Sequence, residues 1–378
     1  MPVSLQPTQR VEQRTPSPAF YTPSTFNACQ ISRMTVAVLG AAFLVLLLRV
    51  ATAGDLAGCW PAVPRIVDAH VHLISLDNNI SYTWGAAPSA NMSCPCVFPS
   101  GVPCLCSWAY AQYKNASRSS FADASRVKLV FVEVAASPEQ WLHEARWVQR
   151  LADEDGVPVG AIVAGAPRGF GMSGADGAHV AASLDALAAL PLARGIRAAA
   201  LNFSDPDAFQ TIVNHTAMLA ARGLSLDVIA AVHMPATAAA IARLAAALPH
   251  ATIVLNHLGS PNVGDPSSFE SWLLGMREIA AHDNVFVKVG GLLQYYKRLG
   301  TLPTAQQQAP LVRAALDAFG FHRAMFETNW FFVNWPDDMR VYEFWLATLR
   351  AVLNASVVQV EQLFFRSAEA AYRISAAV

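Results

Sequence analysis

The chain has 378 residues, room for one large domain or two small ones, and with 54% apolar and 14% charged residues it is far from a disordered profile. A net charge of −1 excludes the strongly basic surface that a nucleic-acid partner needs. Low charge and abundant alanine agree with a large layered core whose helices present small residues inward.

In chain order, residues 1–33 carry Pro2, Pro7, Pro16, Pro18 and Pro23 among Ser, Thr and Gln with no apolar period, the composition of a disordered tail. Residues 35–48 are then apolar or small throughout, flanked by Arg33 and Arg49, with Ala51-Thr52-Ala53 just beyond. Such a run is short for a full membrane span and suits the core of a signal peptide with a small-residue cleavage site. The long tail before it argues for an uncleaved signal anchor over 34–54, with Arg49 snorkelling. Either reading delivers the rest of the chain across a membrane. Arg10, Arg14 and Arg33 keep the tail cytosolic, so residues from 55 onward are expected in the secretory pathway, membrane-tethered or secreted.

Two further features agree with that compartment. Asn79, Asn91, Asn115, Asn202, Asn214 and Asn354 each begin an N-x-S/T sequon, where roughly two would arise by composition, and all lie beyond the apolar run. Cys94-Pro95-Cys96 and Cys104-Leu105-Cys106 sit in one Pro- and Ser-rich stretch. In an oxidising compartment they are expected to pair across the two motifs, a four-thiolate zinc site being the alternative.

From residue 64 onward, apolar β-branched runs alternate with Ala/Leu-rich stretches. Strands are expected over 65–73, 127–134, 159–164, 195–201, 224–229, 252–256, 285–289 and 323–328, and helices over 138–152, 177–190, 206–222, 235–248, 267–281, 304–319 and 336–353. Ser137-Pro138, Asp205-Pro206 and Asp265-Pro266 are helix-start signals. Eight such units over 64–378 predict an α/β fold, a (β/α)8 TIM barrel, whose chemistry gathers at the carboxyl ends of the strands. The Cys-rich insertion over 74–125 comes directly after the first strand and is the size of a lid on that face.

The first strand carries Ile66-Val67-Asp68-Ala69-His70-Val71-His72-Leu73. Alternation puts His70 and His72 on one face, a strand period apart, where two imidazoles can grip one divalent ion. Other strand ends supply Glu133, Arg197, Asp227, Asn256-His257, Lys288, Glu327 and Asn329; His233 reads as a surface residue.

These residues resemble the amidohydrolase superfamily, in particular the amidohydrolase-related branch with dicarboxylate and sugar lactonases. The similarity is carried by Val67–His72, Arg194-Gly195-Ile196-Arg197, Leu224–Asp227, Leu248–Gly259, Asn284–Leu292 and Phe319–Trp330, in the family's order. It implies a site of His70, His72 and His257, with or without metal, and a carboxylate on the eighth strand for the hydrolytic proton. Here Asn329 stands where much of the family has that Asp, in Glu327-Thr328-Asn329-Trp330, and Phe331 replaces a proline. Asn is not ionisable near neutral pH and is no general base. Glu327, two residues earlier on the same face, or Asp227 across the barrel, is expected to supply the carboxylate, and Asn329 a hydrogen bond to substrate or water.

The resemblance thus implies a hydrolase that opens a lactone or cleaves a related ester or amide of a small carboxylated substrate. His70, His72 and His257 would hold zinc or manganese, or act without metal together with Lys288; Arg197 and Lys288 would either bind the substrate carboxylate or form interior ion pairs. The alternatives are a metal-dependent decarboxylase of the same superfamily and a luminal binding barrel that has lost its base, the reading that Asn329 and Phe331-Phe332 favour.

Overall fold

The computed structural model describes residues 65–84, 106–117, 126–198, 201–301, 303–331 and 355–375. The tail over 1–33, the apolar segment over 34–54, the helix expected over 336–353 and much of the insertion over 74–125 lie outside them. Among the described residues no helix is long and apolar enough to cross a membrane. Cys106, the one described cysteine, is buried and disulfide-bonded; the rest of the expected pairing lies outside the described residues.

Eight parallel strands form one sheet in sequential order: β1 (Ile66–Val71), β2 (Val127–Val132), β3 (Val159–Gly165), β4 (Ala193–Ala198), β5 (Ser225–Val228), β6 (Ile253–Leu255), β7 (Val285–Val289) and β8 (Ala324–Phe326). Most of their residues are buried on both faces, which is why they read as near-continuous apolar runs. The sheet closes between its first and last strands. Asn329 N donates to His70 O at 3.0 Å and His72 N to Trp330 O at 2.7 Å. The result is a (β/α)8 TIM barrel.

Helices α1 (Tyr110–Ser117), α2 (Trp141–Asp153), α3 (Gly177–Ala188), α4 (Pro206–Ala221), α5 (Pro235–Ala247), α6 (Phe269–Ala280), α7 (Leu293–Arg298), α8 (Ala305–Phe319), α9 (Val357–Glu361) and α10 (Ser367–Tyr372) accompany the strands. The starts of α4 and α8 follow the capping chemistry of the sequence, whereas α2 begins at Trp141 behind Gln140, whose side chain makes no cap, rather than at Ser137-Pro138, and Asp265-Pro266 opens a 3-10 turn ahead of α6. Asp205 accepts from Asp207 N and Ala208 N with Pro206 in the first turn of α4, and Thr304 and Gln307 form a reciprocal capping box on α8. α1, α7, α9 and α10 were not expected, being short or weakly periodic.

The last helices close the amino-terminal end of the barrel. Arg65, just before β1, pairs with Glu369 at 2.8 Å, and Lys128, early in β2, donates to Ser375 O at 2.9 Å. From α10 the Tyr372 hydroxyl reaches into the barrel interior.

Asp68 ties the two closing strands at the catalytic end. Its carboxylate, fully buried, accepts from Thr328 N at 2.9 Å, Thr328 Oγ1 at 2.6 Å and Tyr113 Oη at 3.0 Å. One side chain thus joins β1, the segment after β8 and the insertion helix α1. Replacing it by Ala leaves those donors buried without an acceptor. Asp68→Ala should lower unfolding free energy by ~3 kcal/mol, read from the midpoint of urea denaturation at constant slope.

Candidate active site

The carboxyl ends of β1, β6 and β8 bring His70, His72, His257, Glu327 and Asn329 together, each at most 2% exposed. Glu327 is the centre of the group. Its Oε1 lies 2.7 Å from His257 Nδ1 and its Oε2 3.0 Å from His70 Nδ1, so one carboxylate spans two imidazoles from opposite parts of the chain. An ionised carboxylate only accepts, so His257 Nδ1 carries the proton it shares with Oε1. His70 Nδ1, although 3.0 Å from Glu327 Oε2, accepts from Lys288 Nζ at 3.4 Å, and since an ammonium only donates, the His70 proton sits on Nε2. His72 donates from Nδ1 to Val132 O at 2.8 Å. His72 and His257 therefore spend Nδ1 on an acceptor and keep an Nε2 lone pair, the arrangement of metal-ligating imidazoles.

The Nε2 atoms of the β1 pair meet: His70 Nε2 and His72 Nε2 are 3.2 Å apart, and Asn329 Oδ1 is 3.1 Å from His72 Nε2. A cation in place of the His70 Nε2 proton would fit there, since two bonds of 2.0–2.1 Å at a near-tetrahedral angle span about 3.3 Å. On the opposite edge of His70, ligand atoms of His70, His257 and Glu327 lie within 4.8 Å of one another and form a second possible seat. Both donor sets, imidazole with oxygen, suit zinc or manganese.

Burial, the surrounding cations and the neighbouring imidazoles keep the β1 pair neutral. Desolvation holds His70 well below the usual histidine pKa, with Lys288, His257, His72 and Arg197 adding to it. Desolvation does the same for His72, reinforced by Arg197 and opposed by the Val132 bond.

The other charged candidates lie beside this group, each already paired. Asp227, fully buried, accepts from Lys288 Nζ at 2.8 Å, Tyr372 Oη at 2.8 Å, Asn256 Nδ2 at 3.0 Å and Ser225 Oγ at 3.3 Å. Its oxygens are thereby occupied, and of the two carboxylates expected at the site it is Glu327 that meets the histidines. Lys288 is an interior ion-pair partner. Arg197 is held by Glu133 through Nε, at 2.6 Å to Oε1, and through Nη2, at 2.8 Å to the carbonyl; its Nη1 lies 3.4 Å from His70 Nε2.

A model described as amidohydrolase matches residues 67–374. The chain belongs to the amidohydrolase family. A Sinorhizobium fredii protein, y4mH, is 29% identical to this amidohydrolase over 336 residues, 82% of this chain and 98% of its own. L-fucono-1,5-lactonase of Burkholderia ambifaria is 31% identical over 169 residues, 44% of this chain and 56% of that enzyme. A Burkholderia multivorans amidohydrolase with bound zinc superposes with a TM-score of 0.58 at 18% identity, over 82% of this chain and all of that one, a likeness of fold.

Several residues that shape this amidohydrolase's site were invisible as site residues in sequence. Gly291, with φ +71°, sits against the dyad: a Cβ there would fall 2.1 Å from His257 Nδ1. The Gly290-Gly291 pair after a strand was the available signal. His257 and Asn329 have φ of 52° and 55°, a left-handed backbone that turns each side chain out of strand alternation toward the cluster. Over His72 lies an aromatic cover in which Phe331 stacks on Trp108, ring centres 5.4 Å apart, with Trp84 at 6.2 Å.

Two histidines with depressed folded pKa values make stability pH-dependent. Below pH ~6.5 the unfolded chain takes up protons that the folded one refuses, so stability falls on acidification. On acidification below pH ~6.5 the unfolding free energy should therefore fall, and His72→Asn should make that fall shallower, read from urea midpoints across a pH series.

Proposed function

We propose that this amidohydrolase hydrolyses a lactone, or a related ester or amide, of a small carboxylated molecule. The observation that carries the reading is the Glu327 carboxylate bridging His70 and His257, which supplies the acid partner that Asn329 lacks. The family and the partial likeness to L-fucono-1,5-lactonase support the reaction class.

In this reading the Glu327–His257 pair is the base. Oε1 fixes the Nδ1–H tautomer at 2.7 Å, so Nε2 accepts the proton of the attacking water while the carboxylate stabilises the imidazolium. The same imidazolium then returns the proton to the leaving oxygen or nitrogen. Asn329 Nδ2, buried without a partner, donates to the carbonyl oxygen as charge builds on it. Arg197 Nη1, with the rest of the guanidinium pinned by Glu133, faces the substrate carboxylate. Asp227 and Lys288 are positioning residues: their ion pair sets the ammonium beside His70. A divalent ion, zinc or manganese, held by His70 Nε2, His72 Nε2 and Asn329 Oδ1, would supply a Lewis acid for the scissile carbonyl and leave His257 Nε2 to the water.

The alternative reaction, decarboxylation by the same superfamily's architecture, has no comparable support in the site. Site chemistry favours hydrolysis, because a carboxylate–histidine pair has a water proton to take.

The test is a pH-stat screen of purified protein against sugar 1,5-lactones, dicarboxylate lactones and aryl esters, alongside elemental analysis and trapping of carbon dioxide from carboxylate substrates. Acid release without gas is expected. Gas evolution would replace hydrolysis by decarboxylation, and inertness with every added metal would leave a binding barrel. Glu327→Gln should cut kcat/KM by roughly 10²–10⁴, whereas Arg197→Lys should act mainly on KM.

A further inference from the structure

The sequons that the catalytic reading leaves unused have a structural pattern of their own. Nine asparagines are described. The four that begin sequons, Asn79, Asn115, Asn202 and Asn214, are all exposed, while of the other five, Asn78, Asn256, Asn262, Asn284 and Asn329, only Asn262 is. Asparagine is a polar residue that goes to the surface readily, yet here exposure tracks the sequon rather than the residue type.

The four are not equivalent. In α1 and α4 the hydroxyl two residues on is buried and turned back to the helix: Ser117 Oγ donates to Lys114 O at 3.4 Å and Thr216 Oγ1 to Ile212 O at 2.7 Å. Asn79-Ile80-Ser81 and Asn202-Phe203-Ser204 instead lie in loops after β1 and β4, and both their Asn and their Ser are exposed. At the second, Asn202 Oδ1 accepts from Ser204 N at 3.2 Å, an Asx turn that leaves Nδ2 to solvent. At the first, Asn79 takes φ 57°, ψ 30° as the residue ending a 3-10 turn and is exposed there.

We infer that Asn79 and Asn202 are N-glycosylation sites of this protein. The donor is a lipid-pyrophosphate-linked oligosaccharide. Asn Nδ2 forms a bond to the anomeric carbon of the first sugar as that carbon's bond to the phosphate oxygen breaks; the lipid pyrophosphate leaves and one amide proton passes to a base of the transferase. The inference requires the chain to enter the secretory pathway, as the apolar run over 34–54 would direct. It is independent of the hydrolase reading. Both sites stand at the carboxyl ends of the strands, the face that holds His70 and His72, so glycans there would flank the mouth of the barrel and admit small molecules.

The full chain, with its own amino-terminal segment, is expressed in a eukaryotic cell and treated with peptide N-glycosidase, which converts each formerly glycosylated Asn to Asp. Faster migration after treatment, and peptides carrying Asp at 79 and 202, are expected. Ser81→Ala and Ser204→Ala should each remove one glycan, and Ser81→Thr and Ser204→Thr should keep it; a purely structural role of Asn79 in its turn or Asn202 in its Asx turn would not respond in that way. Asn recovered unchanged at both positions overturns the inference, as do glycans confined to the other sequons.

Discussion

One buried carboxylate holds the catalytic end together. Glu327 has no exposed surface, and its two oxygens meet the Nδ1 atoms of His257 and His70. A carboxylate so placed is tolerable only because both oxygens face imidazole nitrogens, and the bond to His257 Nδ1 decides that this ring keeps its lone pair on Nε2. The glycine at 291 is part of the same constraint, since a side chain there would occupy the space of the His257 ring.

Around this pair the barrel interior is an array of matched charges. Lys288 pairs with Asp227 and Arg197 with Glu133, all four nearly or fully buried. Buried ion pairs contribute little net stability, but breaking one strands its partner, so they fix geometry more than they strengthen the fold. Here they hold two cations beside His70, which add to burial in keeping His70 and His72 neutral. Tyr372 carries this order to the far end of the barrel, because the helix that closes the amino-terminal side also completes the shell of Asp227.

Barrel closure and site assembly are one event. The two backbone bonds that seal the sheet use His70, His72, Asn329 and Trp330, the same segments that supply the site. Asp68 adds side-chain bonds across the seam, and the aromatic cover formed by Trp84, Trp108 and Phe331 packs above it. Asn329 takes a left-handed turn that points it at His72, and the carboxylate that reaches the histidines is that of Glu327, two residues earlier.

Much of the architecture was legible in the residues themselves. The eight strands are the long apolar, β-branched runs, and their period, spacing and capping signals are local properties that burial on both faces of a parallel sheet leaves visible in any window of sequence. His70 and His72 were legible for the same reason, as alternation along one strand. What the sequence could not decide was partnership across the chain. Glu327 and Asp227 were equal candidates until the fold gave Asp227 to Lys288 and Tyr372 and left Glu327 to the histidines. Arg197 and Lys288 were open between substrate and ion pair for that reason too. Local pattern specifies which face a side chain takes, but which acid meets which base is set by strand register, barrel closure and a few left-handed residues, and these exist only once the whole chain has folded.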